Sequence, residues 1–250
     1  MKRRQYALQL YTIRDHLAQD VAGTLRQVSE MGYEYVEIAG THGLTDAEFK
    51  AALDAEGLNA ISAHMGYEEI TGDPRPVIEA AKTLHVDNVV VPCIDTAHTA
   101  DKDGWLNCAQ ALDAAGARLR EAGITLSYHN HAHEFQTFDG EYILDIVMGA
   151  SEPQHLAVEI DTFWVHYAGL SPTRVIQKYQ GRCPLLHVKD MADAKSKAFA
   201  EMGRGIFDWT AIFEAAAKAG VAWYIVEQDT CARDSLESAA ISAAFMAQHE

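Results

Sequence analysis

The amino-acid sequence predicts a closed (β/α)8 barrel, and three observations carry that prediction. Eight short β-rich runs alternate with helical stretches at roughly 30-residue intervals, the spacing of βα units. Most of these runs are nearly continuously apolar until their last residues, as strands buried on both faces must be. The chain has 250 residues, a length at which an α/β barrel forms one domain, so residues 1–250 are expected to be a single unit.

The strands expected in chain order are Tyr6–Thr12, Tyr35–Ile38, Leu58–His64, Asn88–Pro92, Thr125–His129, Ala157–Asp161, Leu185–Lys189 and Trp223–Gln228. The helices between them carry start and stop signals. Thr45-Asp46-Ala47-Glu48 has the form of a capping box, and Gly57 closes that helix. Ser171-Pro172 reads as an N-cap followed by proline at the first helical position. Asp208 is placed to cap Trp209–Ala219 with Gly220 as the stop, and Asp234 precedes Ser235–Gln248 with Glu237 three residues on. Trp105–Glu121 is rich in Ala and Leu and ends at Gly123. A doubly wound open sheet is the competing architecture. Its phosphate-binding first turn is missing, because the first strand ends in Gln9-Leu10-Tyr11-Thr12, and neither GxxxxGK[ST] nor GxSxG occurs.

Composition narrows the partners. Hydrophobic residues make up 48% of the chain, enough for a large core. The formal charge is −16, with 36 Asp and Glu against 20 Lys and Arg. A surface of that sign repels nucleic acid and anionic membrane, leaving a small molecule as the expected partner, with a homo-oligomer open. The basic start Met1-Lys2-Arg3-Arg4 precedes a run containing Gln9 and Tyr11 and no small-residue cleavage site, unlike a secretory signal. Cys93, Cys108, Cys183 and Cys231 are widely spaced, which suits reduced thiols and a cytoplasmic location.

Barrel active sites lie at the carboxyl ends of the strands. Strands five to eight end in Tyr128-His129-Asn130-His131, Glu159-Ile160-Asp161, His187-Val188-Lys189-Asp190 and Glu227-Gln228-Asp229. Side chains alternate faces along a strand, so His129 with His131, Glu159 with Asp161, His187 with Lys189, and Glu227 with Asp229 each share a face. If those faces point inward, carboxylates and imidazoles from four strands converge. Such mixed donors favour one divalent ion, Mn²⁺ first, with Mg²⁺, Co²⁺ or Zn²⁺ as alternatives. His64 and Glu37, at earlier strand ends, are candidates for lining a pocket or for bonding neighbouring loops. Trp164 is a candidate pocket wall. His85, His155 and His249 read as surface residues.

These stretches resemble the sugar phosphate isomerase/epimerase superfamily of xylose isomerase-like TIM barrels, which includes inosose dehydratases, ketose 3-epimerases and endonuclease IV. The match runs through Tyr128–Phe135, Glu159–Val165, His187–Met191, Gly203–Trp209 and Tyr224–Asp229, and more loosely through Gln9–Ile13 and Gly32–Glu37. The resemblance implies a four-ligand metal site with one ligand from each of strands five to eight, and Asp161, His187 and Glu227 fall on three of those positions. For the fourth, where many members have Glu, this chain has His129. Glu134, a few residues on, is expected to supply the carboxylate, with His129 next in line.

The expected chemistry is proton transfer beside a carbonyl of a sugar or polyol ketone, through an enediolate, with Glu227, His129 and His131 as acid–base candidates. Lys189 is a candidate for stabilising oxyanion charge, and Arg204, between two glycines, for reaching a substrate oxygen. Isomerisation and epimerisation lead; dehydration is the alternative. A metal-dependent hydrolase is a rival because of His129-x-His131-x-His133, although amidohydrolases carry HxH on the first strand, where Gln9 and Tyr11 stand here. A non-catalytic sugar-binding barrel would not need titratable residues on four strands.

Overall fold

The computed structural model describes residues 5–95 and 97–249; the basic stretch Met1–Arg4 lies outside the described residues. Eight parallel strands close on themselves: β1 (Gln5–Gln9), β2 (Tyr35–Ala39), β3 (Asn59–His64), β4 (Asn88–Val91), β5 (Thr125–His129), β6 (Ala157–Asp161), β7 (Leu185–Val188) and β8 (Trp223–Val226). Each is hydrogen-bonded to its sequence neighbour, and β1 pairs with β8.

The continuous apolar runs follow from having two cores to fill. Alternate residues of one strand enter different clusters. Ala7, Val90, Leu185 and Ile225 form a small cluster with Ile61, while their neighbours Leu8, Val89, Val91, Leu186, Tyr224 and Val226 join the large core against the helices. The small cluster fills the barrel interior. Two residues further along β1, β7 and β8 the same inward positions become polar, as Gln9, His187 and Glu227, and this change of chemistry marks the floor of the site.

The capping signals hold in detail. Thr45 and Glu48 form the reciprocal capping box, Asp208 accepts from Ala211 N, and Asp234 accepts from Leu236 N and Glu237 N. Ser171 behaves differently: Pro172 begins the helix, but the Ser171 hydroxyl pairs with Thr173 instead of capping. The first strand is shorter than expected. Gln9 Oε1 accepts from Tyr11 N, and the chain turns into a 3-10 helix over Leu10–Ile13. Strands seven and eight likewise stop at Val188 and Val226. Among the described residues, no helix is long and apolar enough to cross a membrane.

Candidate active site

Strand register assembles the site. His129 of β5 lies beside Glu159 of β6, and Asp161 of β6 lies beside His187 of β7. On the other side of the barrel Gln9 of β1 pairs with Glu37 of β2, and a bulge between Val36 and Glu37 brings Ser62 of β3 opposite Glu37. All of these side chains are buried.

A lower nest is built around two carboxylates. Glu37 Oε1 accepts from Gln9 Nε2 at 2.8 Å and pairs with His187 Nε2 at 2.7 Å, and Ser62 Oγ donates to the other oxygen. Glu159 Oε2 stands 2.8 Å from His129 Nδ1, 3.1 Å from His64 Nε2 and 3.2 Å from His187 Nε2. Burial alone would raise both acids, but the neighbouring imidazoles outweigh it. Glu37 is held well below the usual carboxylate range and Glu159 falls to about 2. For His64 burial works the other way, yet the two carboxylates raise it to about 10.

An upper group sits over this nest. Asp161 Oδ1 accepts from Trp164 N at 3.0 Å as the cap of the following helix, and Asp161 N donates to Asn130 Oδ1 at 3.0 Å. These bonds turn Oδ2 inward, 2.8 Å from Lys189 Nζ and 3.7 Å from His129 Nε2. Glu227 Oε2 is 2.7 Å from His187 Nδ1 and 2.6 Å from Lys189 Nζ, and Asp229 Oδ1 is 2.7 Å from the same ammonium. Burial pushes Asp161 up to about 6 against the pull of Lys189 and His187. In Glu227 the attraction of Lys189 and His187 overcomes burial, and the carboxyl stays well below its ordinary range. Burial opposes charge on His187 and Lys189, but the surrounding carboxylates hold both well above their ordinary values. His129 is depressed by burial and by the charge of His187.

The donors fit a divalent ion. Among the described residues two groups have ligand atoms close enough to share one: Asp161, His187 and Glu227 above, and His64, His129, Glu159 and His187 below. Asp161 Oδ2 is met by the Lys189 ammonium, whereas Glu159 Oε1 is a buried carboxylate oxygen with no hydrogen bond, an arrangement that is costly unless a cation faces it.

The upper group opens into a cavity of about 370 Å³ whose lining includes Tyr11, His64, Cys93, His129, His131, Lys189, Glu227 and Asp229. Trp164 lines an adjoining hollow that shares Cys93 and His131 with it. Glu37 was expected at a pocket wall; it is fully buried beneath the floor instead. Arg204 is exposed in the loop whose Gly203 and Gly205 amides bind Asp190, and it does not line the cavity. Glu134 is not brought to the other three expected ligands. Its carboxylate accepts from Tyr128 OH at 2.7 Å and His131 N at 2.8 Å, and pairs with His133 Nε2 at 3.0 Å. The reason is parity: Tyr128 belongs to the core outside the barrel wall, and the 3-10 turn His133–Phe135 folds Glu134 back onto it. His129, one residue on from Tyr128, faces inward, with Nε2 3.7 Å from Asp161 Oδ2. Glu159 was not among the expected site residues, although sharing a face with Asp161 was signal enough to find it.

Comparison with known proteins agrees with this architecture. The chain is 29% identical to an inosose dehydratase of Lacticaseibacillus casei in an alignment covering 79% of this chain and 78% of that one. A sugar phosphate isomerase/epimerase from Parabacteroides distasonis superposes with a TM-score of 0.83 at 23% identity, covering 98% of this chain and 94% of the other. D-psicose 3-epimerase from Clostridium cellulolyticum superposes with a TM-score of 0.70 at 16% identity, covering 98% of each chain. At those identities the two superpositions speak for the fold alone. The profile of the xylose isomerase-like TIM barrel family matches residues 25–249, and the chain belongs to that family.

Proposed function

We propose that this protein is a divalent-metal-dependent enzyme that moves a proton beside the carbonyl of a sugar or polyol ketone, interconverting isomers or epimers. One observation carries the reading: Asp161, His187 and Glu227, from three successive strands, meet in a buried group beside a cavity that Glu227 lines. These residues would hold the ion, with His129 Nε2 as fourth donor in the place expected of Glu134. When bound there, a Mn²⁺, Mg²⁺, Co²⁺ or Zn²⁺ ion polarises the substrate carbonyl and stabilises negative charge on its oxygen.

The chain's own groups do the rest. His131 lines the cavity, and burial lowers its pKa, which keeps the ring neutral and able to accept a proton. Glu227 borders the same cavity from β8, three strands around the barrel from β5. Two such groups can take the α-proton from one face of a carbon and return one to the other. Lys189 is placed to donate to a substrate oxygen. As the one Lys or Arg in the cavity lining among the described residues, it is already balanced by Asp161, Glu227 and Asp229, which favours an uncharged substrate.

Dehydration is the second reading, favoured by the 29% identity to an inosose dehydratase. There the enediolate expels a β-hydroxyl, which leaves as water after protonation. Proton NMR in D₂O with ketoses and keto-inositols separates the two: deuterium entering the α-position without loss of water means isomerisation or epimerisation, and an unsaturated ketone means dehydration. Asp161→Asn and Glu227→Gln should each lose the bound ion and the exchange together. Full metal content and turnover in both variants would refute the site.

A further inference from the structure

Each imidazole at this site has two ring nitrogens, and only one of them can serve an ion. His187 turns Nε2 down to Glu37, at 2.7 Å, and Nδ1 up to Glu227, at 2.7 Å. His129 turns Nδ1 to Glu159, at 2.8 Å, and Nε2 towards Asp161 Oδ2, at 3.7 Å. The two rings use opposite nitrogens, yet each aims its other nitrogen at the same upper group. We propose that Glu37 and Glu159 are positioning residues that lock the tautomers of His187 and His129, so that an ion is bound above them through His187 Nδ1 and His129 Nε2. This rests on the metal-dependent reading given above.

The anchoring of Glu37 supports the assignment. Strands β1 to β3 supply none of the upper donors, but they supply the Gln9, Ser62 and His64 contacts that brace this carboxylate behind His187. Gln9 Nε2 donates to one oxygen and Ser62 Oγ to the other, and the β3 bulge exists at the register where Ser62 must face Glu37. Gln9 is itself braced by Tyr11 N at its other amide atom. A carboxylate held from three strands cannot swing away when its imidazole changes partner. It therefore accepts the Nε2 proton of His187 and leaves the Nδ1 lone pair for a cation, and the negative charge behind the ring strengthens it as a donor. Glu159 does the same for His129. His64 Nε2 lies 3.1 Å from each of the two carboxylates and so bridges them from the cavity side.

The alternative is that the ion lies in the lower nest, on His64, His129, Glu159 and His187, which would use His129 Nδ1 and His187 Nε2. The two arrangements demand opposite nitrogens, which makes them separable. ¹⁵N spectra of ¹⁵N-histidine-labelled protein loaded with Zn²⁺ should show His187 ligated through Nδ1 with Nε2 protonated, and His129 ligated through Nε2 with Nδ1 protonated. The reverse pattern overturns the proposal. Chelator competition with Zn²⁺ gives the second readout. Glu37→Gln should weaken binding by about ten- to a hundredfold, the usual effect of removing such a partner, with one ion still bound at saturation. His64→Ala should also keep one ion. Wild-type affinity in Glu37→Gln, or loss of the ion in His64→Ala with retention in Asp161→Asn, overturns the assignment while leaving a metal-dependent enzyme. A wild-type protein that takes up no ion overturns the functional reading and this one with it.

Discussion

Lys189 offers the sharpest test of how this site is balanced. Its side chain is 1% exposed, and its ammonium stands 2.8 Å from Asp161, 2.6 Å from Glu227 and 2.7 Å from Asp229. At an effective dielectric of about 20, one such contact is a gross attraction of about 6 kcal/mol, much of it offset by the desolvation of the charges. Methionine matches the lysine stem but removes the charge, leaving three carboxylates facing one another. Breaking a buried ion pair from one side costs about 3–5 kcal/mol, so Lys189→Met in chelator should melt roughly 6–20 °C below wild type for a domain of this size. A divalent ion should reverse much of that loss. An ion at a thousandfold excess over its Kd adds about 4 kcal/mol, and in the variant it has no ammonium to displace from Asp161 and Glu227. The assay is thermal unfolding by circular dichroism, with EDTA and with Mn²⁺, for both proteins. The metal-induced rise should be larger in Lys189→Met. Equal melting in chelator, or an equal metal-induced rise in both proteins, would refute the view that the ammonium and the ion serve the same carboxylates.

Two further outcomes follow from the same structure. Asp190 accepts from the amides of Gly203, Gly205 and Phe207 and from Trp209 Nε1, so Asp190→Ala orphans the buried Trp209 indole and three part-buried amides; urea denaturation should show a loss of about 3–5 kcal/mol. In chelator, stability should fall as pH rises from 6.5 towards 10. His64 in the folded protein is raised from 6.5 to about 10, so its contribution is fully present below 6.5 and is lost as pH climbs through 10; urea titrations across this range should show the decline, and His64→Gln should make it shallower, with His187, also held above its ordinary value, supplying the remainder.

Much of this protein is legible from local pattern. The nearly continuous apolar runs with polar ends could only be strands buried on both faces, because Leu8 and Ala7 must each find a separate core. Period-two alternation put His187 with Lys189, and Glu227 with Asp229, on common faces before any contact was known. Thr45, Asp208 and Asp234 announced helix starts because caps act over three residues. What failed locally failed for a reason of the same kind. Gln9 ended its strand early because its side chain caps the turn, and Glu134, a carboxylate in the right neighbourhood, sits one face away from the interior.

The sequence by itself determined the barrel and the strands that carry acids and imidazoles, since both follow from periodicity and from residue type. Closure of the barrel decided the rest. The contact of Glu37 with His187 spans 150 positions, and which nitrogen of each imidazole remains free depends on register and curvature around the whole ring of strands. No stretch of sequence contains that information, because it arises only when β1 meets β8 and the two halves face each other across a shared interior.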